Sequence, residues 1–180
     1  MLALAIVMLA AAVLLASLAL WRNAPARRVA DRQEVEALMY RYALGVDSLE
    51  REVLAGVFAP DAVAEYKAVE PSPFELDEHL EGFDNIFAWL ESVLAERGDA
   101  RPTHFITNPL IELDGDRARL QVYMHNRGMT GGGVYRIDAA RTPDGWRIQK
   151  LHLDEQTFDP ERQPVSSNVR RKSLPGGDGP

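Results

Sequence analysis

The apolar residues in the first half of the chain recur with the period of an α-helix. Asp31 and Glu34 form a start that resembles a capping box, and the pattern then predicts a first helix over residues 31–47. A short second helix is predicted over 49–58, and a third, with the clearest apolar stripe, over 83–97. The first half of the domain is therefore predicted to be mainly helical.

The pattern between and after these helices indicates strands and turns. Residues 62–67 are predicted to form a short strand, and 71–81, which contain two prolines, an irregular acidic loop. Turn signals at 114–115 and 143–145 separate predicted strands in the second half. Within 117–127 apolar residues alternate with polar ones, as in a strand with one buried face. Three or four antiparallel strands are therefore predicted.

Helices followed by an antiparallel sheet predict the α+β class. We expect a curved antiparallel sheet that wraps around the N-terminal helices as a cone-shaped α+β barrel, whose open end makes a pocket. The single domain is predicted over residues 31–158, a length near the usual domain size. Residues 159–180 are rich in Pro, Ser, Arg and Gly, and we expect them to be a disordered tail.

An uncharged apolar run precedes the domain. Residues 2–21 contain no charged side chain, and about 20 apolar residues suffice to cross a bilayer, so residues 1–22 are predicted to be a transmembrane anchor or a signal segment. The aromatic end of the run at Trp21 favours a single-pass anchor, which would make the membrane a partner. The small residues at 24–26 would also permit cleavage, and the protein would then be secreted or periplasmic. Residues 23–30 are expected to form a basic linker.

Composition excludes several kinds of function. The net charge of -7 argues against a nucleic-acid surface. The chain has no cysteine, which excludes a thiolate nucleophile and cysteine-ligated zinc. His79 and His152 have no second histidine at helical spacing. We therefore expect neither a metal nor a cofactor.

Two polar residues stand where local rules would not place them. Asp47 closes an apolar-striped helix, where its charge faces the negative end of the helix macrodipole. His104 opens a predicted strand. Residues that break a local rule without local gain are often functional, so the two form a candidate acid–base pair. The alternatives are that Asp47 is a turn residue and that His104 is a hydrogen-bonded core histidine.

Six short segments together resemble the SnoaL-like branch of the nuclear transport factor 2-like superfamily, over roughly residues 30–158. They are residues 31–47, 58–63, 82–86, 104–108, 113–118 and 144–148. The chain is also similar to scytalone dehydratase and hexachlorocyclohexane dehydrochlorinase, two members of this superfamily, around Asp47 and His104.

That resemblance implies that His104 abstracts a proton while Asp47 fixes its tautomer and stabilises the imidazolium. It thus implies a cofactor-independent lyase or isomerase acting on a small hydrophobic, cyclic molecule. Because the superfamily also has non-catalytic members, a ligand-binding or accessory domain tethered to the membrane is the alternative. A homodimer through the outer sheet face is usual in the superfamily, and a monomer is equally compatible with this sequence.

Apolar positions near the candidate pair are expected to line the pocket, although each would serve equally well in a core. The predicted pocket residues are Tyr42, Phe87, Phe105, Val122 and Met124. His125 is a different case, because it alternates with the polar positions of its strand and is therefore predicted to point outward.

Overall fold

The computed structural model describes residues 2–70, 72–95, 103–159, 161–162 and 170–171, with backbone alone for 2–7, 9–24 and 170–171. It divides into two compact units, Met1–Glu34 and Val35–Pro180. The helices are α1 (Leu2–Ser48), α2 (Arg51–Ala55) and α3 (Phe83–Leu94). The strands are β1 (Phe58–Ala68), β2 (Phe74–Glu75), β3 (Asp77–Glu81), β4 (His104–Asp114), β5 (Arg117–Asn126), β6 (Gly131–Thr142), β7 (Gly145–Thr157) and β8 (Arg170–Arg171).

Helix α1 begins far upstream of its predicted start. The predicted start at Asp31 was wrong, because the backbone is already helical from Leu2, and residues 23–30 lie inside the helix rather than in a linker. The predicted end was right to within one residue, since α1 ends at Ser48. A capping box is therefore not needed at Asp31, where the preceding turn already supplies helical hydrogen-bond partners.

The predicted membrane anchor over residues 1–22 is corrected. Among the residues that the structure describes, none of the helices combines the length and the apolar character that a membrane span requires. The predicted membrane localisation, which depended on that anchor, was therefore wrong.

Six strands form one sheet in the order β3-β1-β7-β6-β5-β4. Neighbouring strands are antiparallel except β1 and β7, which are parallel. The strand predicted over 62–67 is longer than expected, and the predicted loop 71–81 contains β2 and β3. Pairing with β7 stabilises β1, although Pro60 makes the local sequence a weak predictor of a strand. The register with β7 shifts between Phe58 and Val63, around that proline.

One face of the sheet packs against the helices and forms the core. The apolar stripe predicted for the first helix is buried over Val35–Val46, and that of α3 is buried over Ile86–Leu94. In the central strands the residues of one parity are buried, such as Val122 in β5 and Tyr135 in β6. We call this buried side the inner face and the opposite side the outer face.

A bulge in β4 determines which of its residues face inward. The register with β5 shifts between Thr107 and Leu110, and Asn108 has a φ of 54°. One extra residue in a strand reverses the parity of the positions on either side of it. His104 and Ile111 therefore both lie on the inner face, although residues separated by an odd number of positions in a regular strand lie on opposite faces.

Little of the predicted tail falls within the described residues. Arg170–Arg171 form β8, which pairs with β2. The predicted disorder over most of 159–180 lies outside the described residues.

Candidate active site

The first half of the site is Asp47, in the last turn of α1. The left-handed residue Leu49 (φ 55°) follows the helix, and Glu50 N–H donates to the Gly45 carbonyl at 3.1 Å, which closes the helix end. Gly45 also allows the close approach of α2, because a Cβ at this position would lie 2.7 Å from Leu54 Cγ. The end of α1, and with it the Asp47 side chain, is therefore held by packing as well as by hydrogen bonds.

The second half is His104, the first residue of the edge strand β4. Arg127 N–H donates to the Thr103 carbonyl at 3.0 Å, and His104 is opposite Asn126 in the next register position. Bonded and non-bonded pairs alternate along an antiparallel ladder, so His104 and Asn126 are a non-bonded pair and the His104 N–H points away from β5. That N–H donates to Asp47 Oδ2 at 3.0 Å.

The two side chains meet directly. Nδ1 of His104 lies 2.5 Å from Oδ1 of Asp47. Only 11% of the His104 side chain and 23% of the Asp47 side chain are exposed, so solvent screens this contact less than it screens a surface ion pair. One carboxylate therefore binds both the ring and the backbone of the same histidine, although the two residues are 57 positions apart.

This geometry assigns a tautomer to His104. A carboxylate only accepts hydrogen bonds, so Nδ1 must be the protonated ring nitrogen and Nε2 of the neutral ring carries the lone pair. Nε2 has no hydrogen-bond partner within the described ranges. The arrangement can therefore accept a proton at Nε2 and stabilise the resulting positive charge through Asp47.

Three buried tyrosines pack together: Tyr66 and Tyr135 on the inner face of the sheet, and Tyr42 on the helix α1 that covers it. The hydroxyls of Tyr42 and Tyr66 are 3.2 Å apart, and the rings of Tyr42 and Tyr135 make an edge contact at 5.4 Å between centroids. Burial raises the pKa of all three hydroxyls, and the charges of Asp47 and Glu155 raise that of Tyr135 further. The three side chains therefore stay protonated and can donate hydrogen bonds.

Tyr42 was predicted from sequence to line the pocket, whereas Tyr66 and Tyr135 were not. Both are on the buried parity of their strands, which was a usable signal for Tyr135. The signal for Tyr66 was weaker, because β1 was predicted only in part.

The structure gathers some predicted pocket residues and separates others. Val122 is the cross-strand partner of Tyr135, whose ring contacts Tyr42, and Met124 is opposite Ile106, two positions along β4 from His104, so both are on the inner face. Phe87 is buried on α3, where the Arg51 guanidinium lies 5.0 Å from its ring centroid. It therefore packs beside α2 and not in the tyrosine cluster.

Phe105 does not line the inner face. It is 45% exposed, and its ring stacks on His125 at 5.1 Å with an 11° interplanar angle. The reason is strand alternation: with His104 facing inward, the next residue faces outward. His125 lies on the outer face as its parity predicts, and its Nδ1 donates to the Asn126 carbonyl at 3.1 Å.

The other two histidines belong to an ion-pair network on the outer face. Nδ1 of His79 and Nδ1 of His152 lie 3.3 and 3.1 Å from carboxylate oxygens of Glu65, and Lys150 Nζ lies 3.0 Å from the same carboxylate. Among the described residues, no group of three or more His, Cys, Asp or Glu side chains is placed to hold a metal ion.

Several solved structures share this backbone, at identities that show the fold alone. A Novosphingobium aromaticivorans protein described as a candidate scytalone dehydratase gives a TM-score of 0.57 at 17% identity, over 77% of this chain and 93% of that protein. An NTF2-like protein with a cystatin-like fold from the same species gives 0.55 at 23% identity, over 76% and 87%. A Mycobacterium tuberculosis protein of unknown function gives 0.58 at 21% identity, over 72% and 73%.

Sequence comparison points to the same class. An uncharacterized Mycobacterium tuberculosis protein is 29% identical over 130 residues, which cover 67% of this chain and 82% of the relative. The fold is the cystatin-like α+β fold of NTF2-like proteins, with a mostly antiparallel sheet. The model of the SnoaL-like domain family matches residues 27–152, and the chain belongs to that family.

Proposed function

We propose that this protein is a cofactor-independent lyase or isomerase that removes a proton from a small hydrophobic, cyclic molecule. The observation that carries the proposal is the 2.5 Å contact between Asp47 Oδ1 and His104 Nδ1, with Nε2 left without a partner among the described residues. His104 is the catalytic base, and Asp47 orients it and stabilises its charged form. The substrate occupies the open end of a cone-shaped barrel.

The chemistry is a proton transfer followed by movement of the electron pair. Nε2 takes a proton from a carbon next to a carbonyl, and the C–H electron pair becomes the enolate. Tyrosine hydroxyls on the inner face supply donors for the enolate oxygen, and burial keeps them protonated. The enolate then expels a leaving group from the neighbouring carbon, which is elimination, or takes the proton back at another carbon, which is isomerisation.

Solvent deuterium exchange tests the proton abstraction before the natural substrate is known. Cyclohexanone and β-tetralone, incubated with the protein in D2O, are expected to lose their α-proton signals in proton NMR faster than without protein. His104→Ala should lower this catalysed rate by about 100-fold or more, as expected for loss of a general base. His125→Ala is the matched control, because this histidine lies on the outer face and should leave the rate unchanged.

The outcomes separate catalysis from the alternative. Ketone binding in saturation-transfer NMR without any catalysed exchange would favour a non-catalytic ligand-binding or accessory domain. Catalysed exchange that His104→Ala leaves at the wild-type rate would place the chemistry elsewhere in the protein.

A further inference from the structure

The strand end that carries His104 is opposite Asn126, whose side-chain amide organises the turn after β5. Asn126, the last residue of β5, is opposite His104 as a non-bonded pair. In such pairs the side chains on one face are closer together than in bonded pairs. Asn126 is therefore the residue of β5 that lies directly across from His104.

The Asn126 amide is itself fixed by three hydrogen bonds. Its Oδ1 accepts the N–H groups of Thr130 at 2.9 Å and Gly131 at 3.4 Å, and its Nδ2 donates to Thr130 Oγ1 at 2.8 Å. Thr130 is only 4% exposed, so these bonds are shielded from competing water. Both ends of the amide are occupied, which leaves the side chain one orientation.

The same turn connects the ends of neighbouring strands. The Thr130 carbonyl accepts the N–H groups of Phe158 at 2.7 Å and Asp159 at 2.9 Å, just beyond β7. On the other side, Arg127 N–H donates to the Thr103 carbonyl, immediately before His104. One amide thus organises a turn that is bonded to the first residue of β6, to the residue just before β4 and to the two residues just after β7.

We infer that Asn126 is a positioning residue, which fixes the His104 ring in the orientation that Asp47 and the substrate require. The inference rests on the proposed function for its effect on turnover, but not for its effect on the ring. His104 is the first residue of an edge strand and its own N–H binds Asp47, so its register with β5 depends on Thr103–Arg127 and on the neighbouring Asn126. Without the amide, the turn loosens and the ring can leave Asp47.

The test uses the full chain and three variants. Asn126→Ala removes the amide. Thr130→Val replaces the hydroxyl that accepts from Asn126 with a methyl group of similar size, and Thr130→Ser retains the hydroxyl as the matched control. Nitrogen-15 NMR of His104 reports the ring tautomer independently of activity, and deuterium exchange into β-tetralone reports kcat and KM. Because Thr130→Val keeps the size of the side chain, it provides the test if Asn126→Ala fails to fold.

The wild type should show a protonated Nδ1 and an unprotonated Nε2, and Thr130→Ser should match it. Asn126→Ala should give averaged nitrogen signals and a kcat about 10- to 100-fold lower at unchanged KM, the size of loss expected from a misplaced catalytic group. Thr130→Val should give nitrogen signals and a kcat between those of the wild type and those of Asn126→Ala. If Asn126→Ala or Thr130→Val lowers stability but leaves the His104 signals and kcat at wild-type values, Asn126 is not a positioning residue. Altered signals in a protein with no catalysed exchange would support the positioning role and refute the proposed function alone.

Discussion

The Asp47 carboxylate holds His104 by two bonds at once, accepting the backbone N–H through Oδ2 and the ring Nδ1 through Oδ1. Two acceptors on one side chain are needed for this arrangement, because both partners on His104 are donors. An isosteric amide has only one acceptor oxygen and cannot reproduce it.

Asp47→Asn should therefore invert the His104 tautomer. If the amide oxygen keeps the backbone N–H, the amide NH2 must face Nδ1, which then becomes the acceptor and moves the ring proton to Nε2. We expect catalysed deuterium exchange to fall by about 100-fold or more, with the fold retained. Nitrogen-15 NMR of His104 gives the tautomer and circular dichroism the fold. Wild-type exchange with an inverted tautomer would show that Nε2 is not the base.

Gly45→Ala should destabilise the contact between α1 and α2. The new Cβ would lie 2.7 Å from Leu54 Cγ, so one helix must move, at a cost of about 1–3 kcal/mol in the free energy of unfolding. Leu54→Ala alone should cost about 2–5 kcal/mol, since this side chain is fully buried. Urea unfolding of the double variant should show a loss smaller than the sum of the two, because the clash is then relieved. Additive losses would contradict the close contact.

Glu65 should make stability depend on acid pH. Lys150 and then His152 donate hydrogen bonds that lower the pKa of Glu65 to about 2, against the opposing effect of partial burial, and His79 adds to the lowering. A carboxyl group whose pKa is lower in the folded state stabilises the protein above its unfolded pKa of about 4.3. That contribution is lost as the pH falls from this value through 2.

The check is the free energy of unfolding measured in urea across that interval. Glu65→Gln should have a shallower pH dependence than the wild type between the two pKa values and a lower stability at neutral pH. Parallel curves for the two proteins would show that Glu65 has the same pKa in both states.

Truncation of Phe105 and truncation of Met124 should lower the stability of the protein by different amounts, although both residues were predicted to line the pocket. Phe105 is half exposed on the outer face. Phe105→Ala should therefore lower the free energy of unfolding by about 1 kcal/mol or less and leave deuterium exchange unchanged. Met124 is buried on the inner face, which also carries His104. Met124→Ala should therefore lower the free energy of unfolding by about 2–5 kcal/mol. Urea unfolding and the exchange assay compare the two. A strong effect of Phe105→Ala on exchange would place its ring in the site after all.

The candidate pair could be predicted from sequence because each member departs from a local preference. An acid at a helix C-terminus and a histidine at a strand start are visible without a structure, and the family resemblance then assigned them roles. The distance between them was not predictable, because it depends on the edge position of β4 and on the direction in which the His104 N–H points.

Other elements were missed because tertiary contacts decide them. Strand β1 contains Pro60 and follows a helix, and only its pairing with β7 shows its full length. The inner or outer position of Phe105 depends on one step of alternation next to His104. No sequence pattern indicated Asn126, because its proposed role depends on a turn in which the Thr130 N–H donates to the Asn126 side chain.

The parallel pairing of β1 with β7 has a consequence for how the chain folds. Glu65 and His152, which meet across this pair, are 87 residues apart in sequence. During synthesis, β1 emerges long before β7 exists, so the edge of β1 that pairs with β7 stays open until β7 has left the ribosome. The sheet must therefore close late, and a chain that stops before Gly145 would leave β1 with an open strand edge, prone to pair with other molecules.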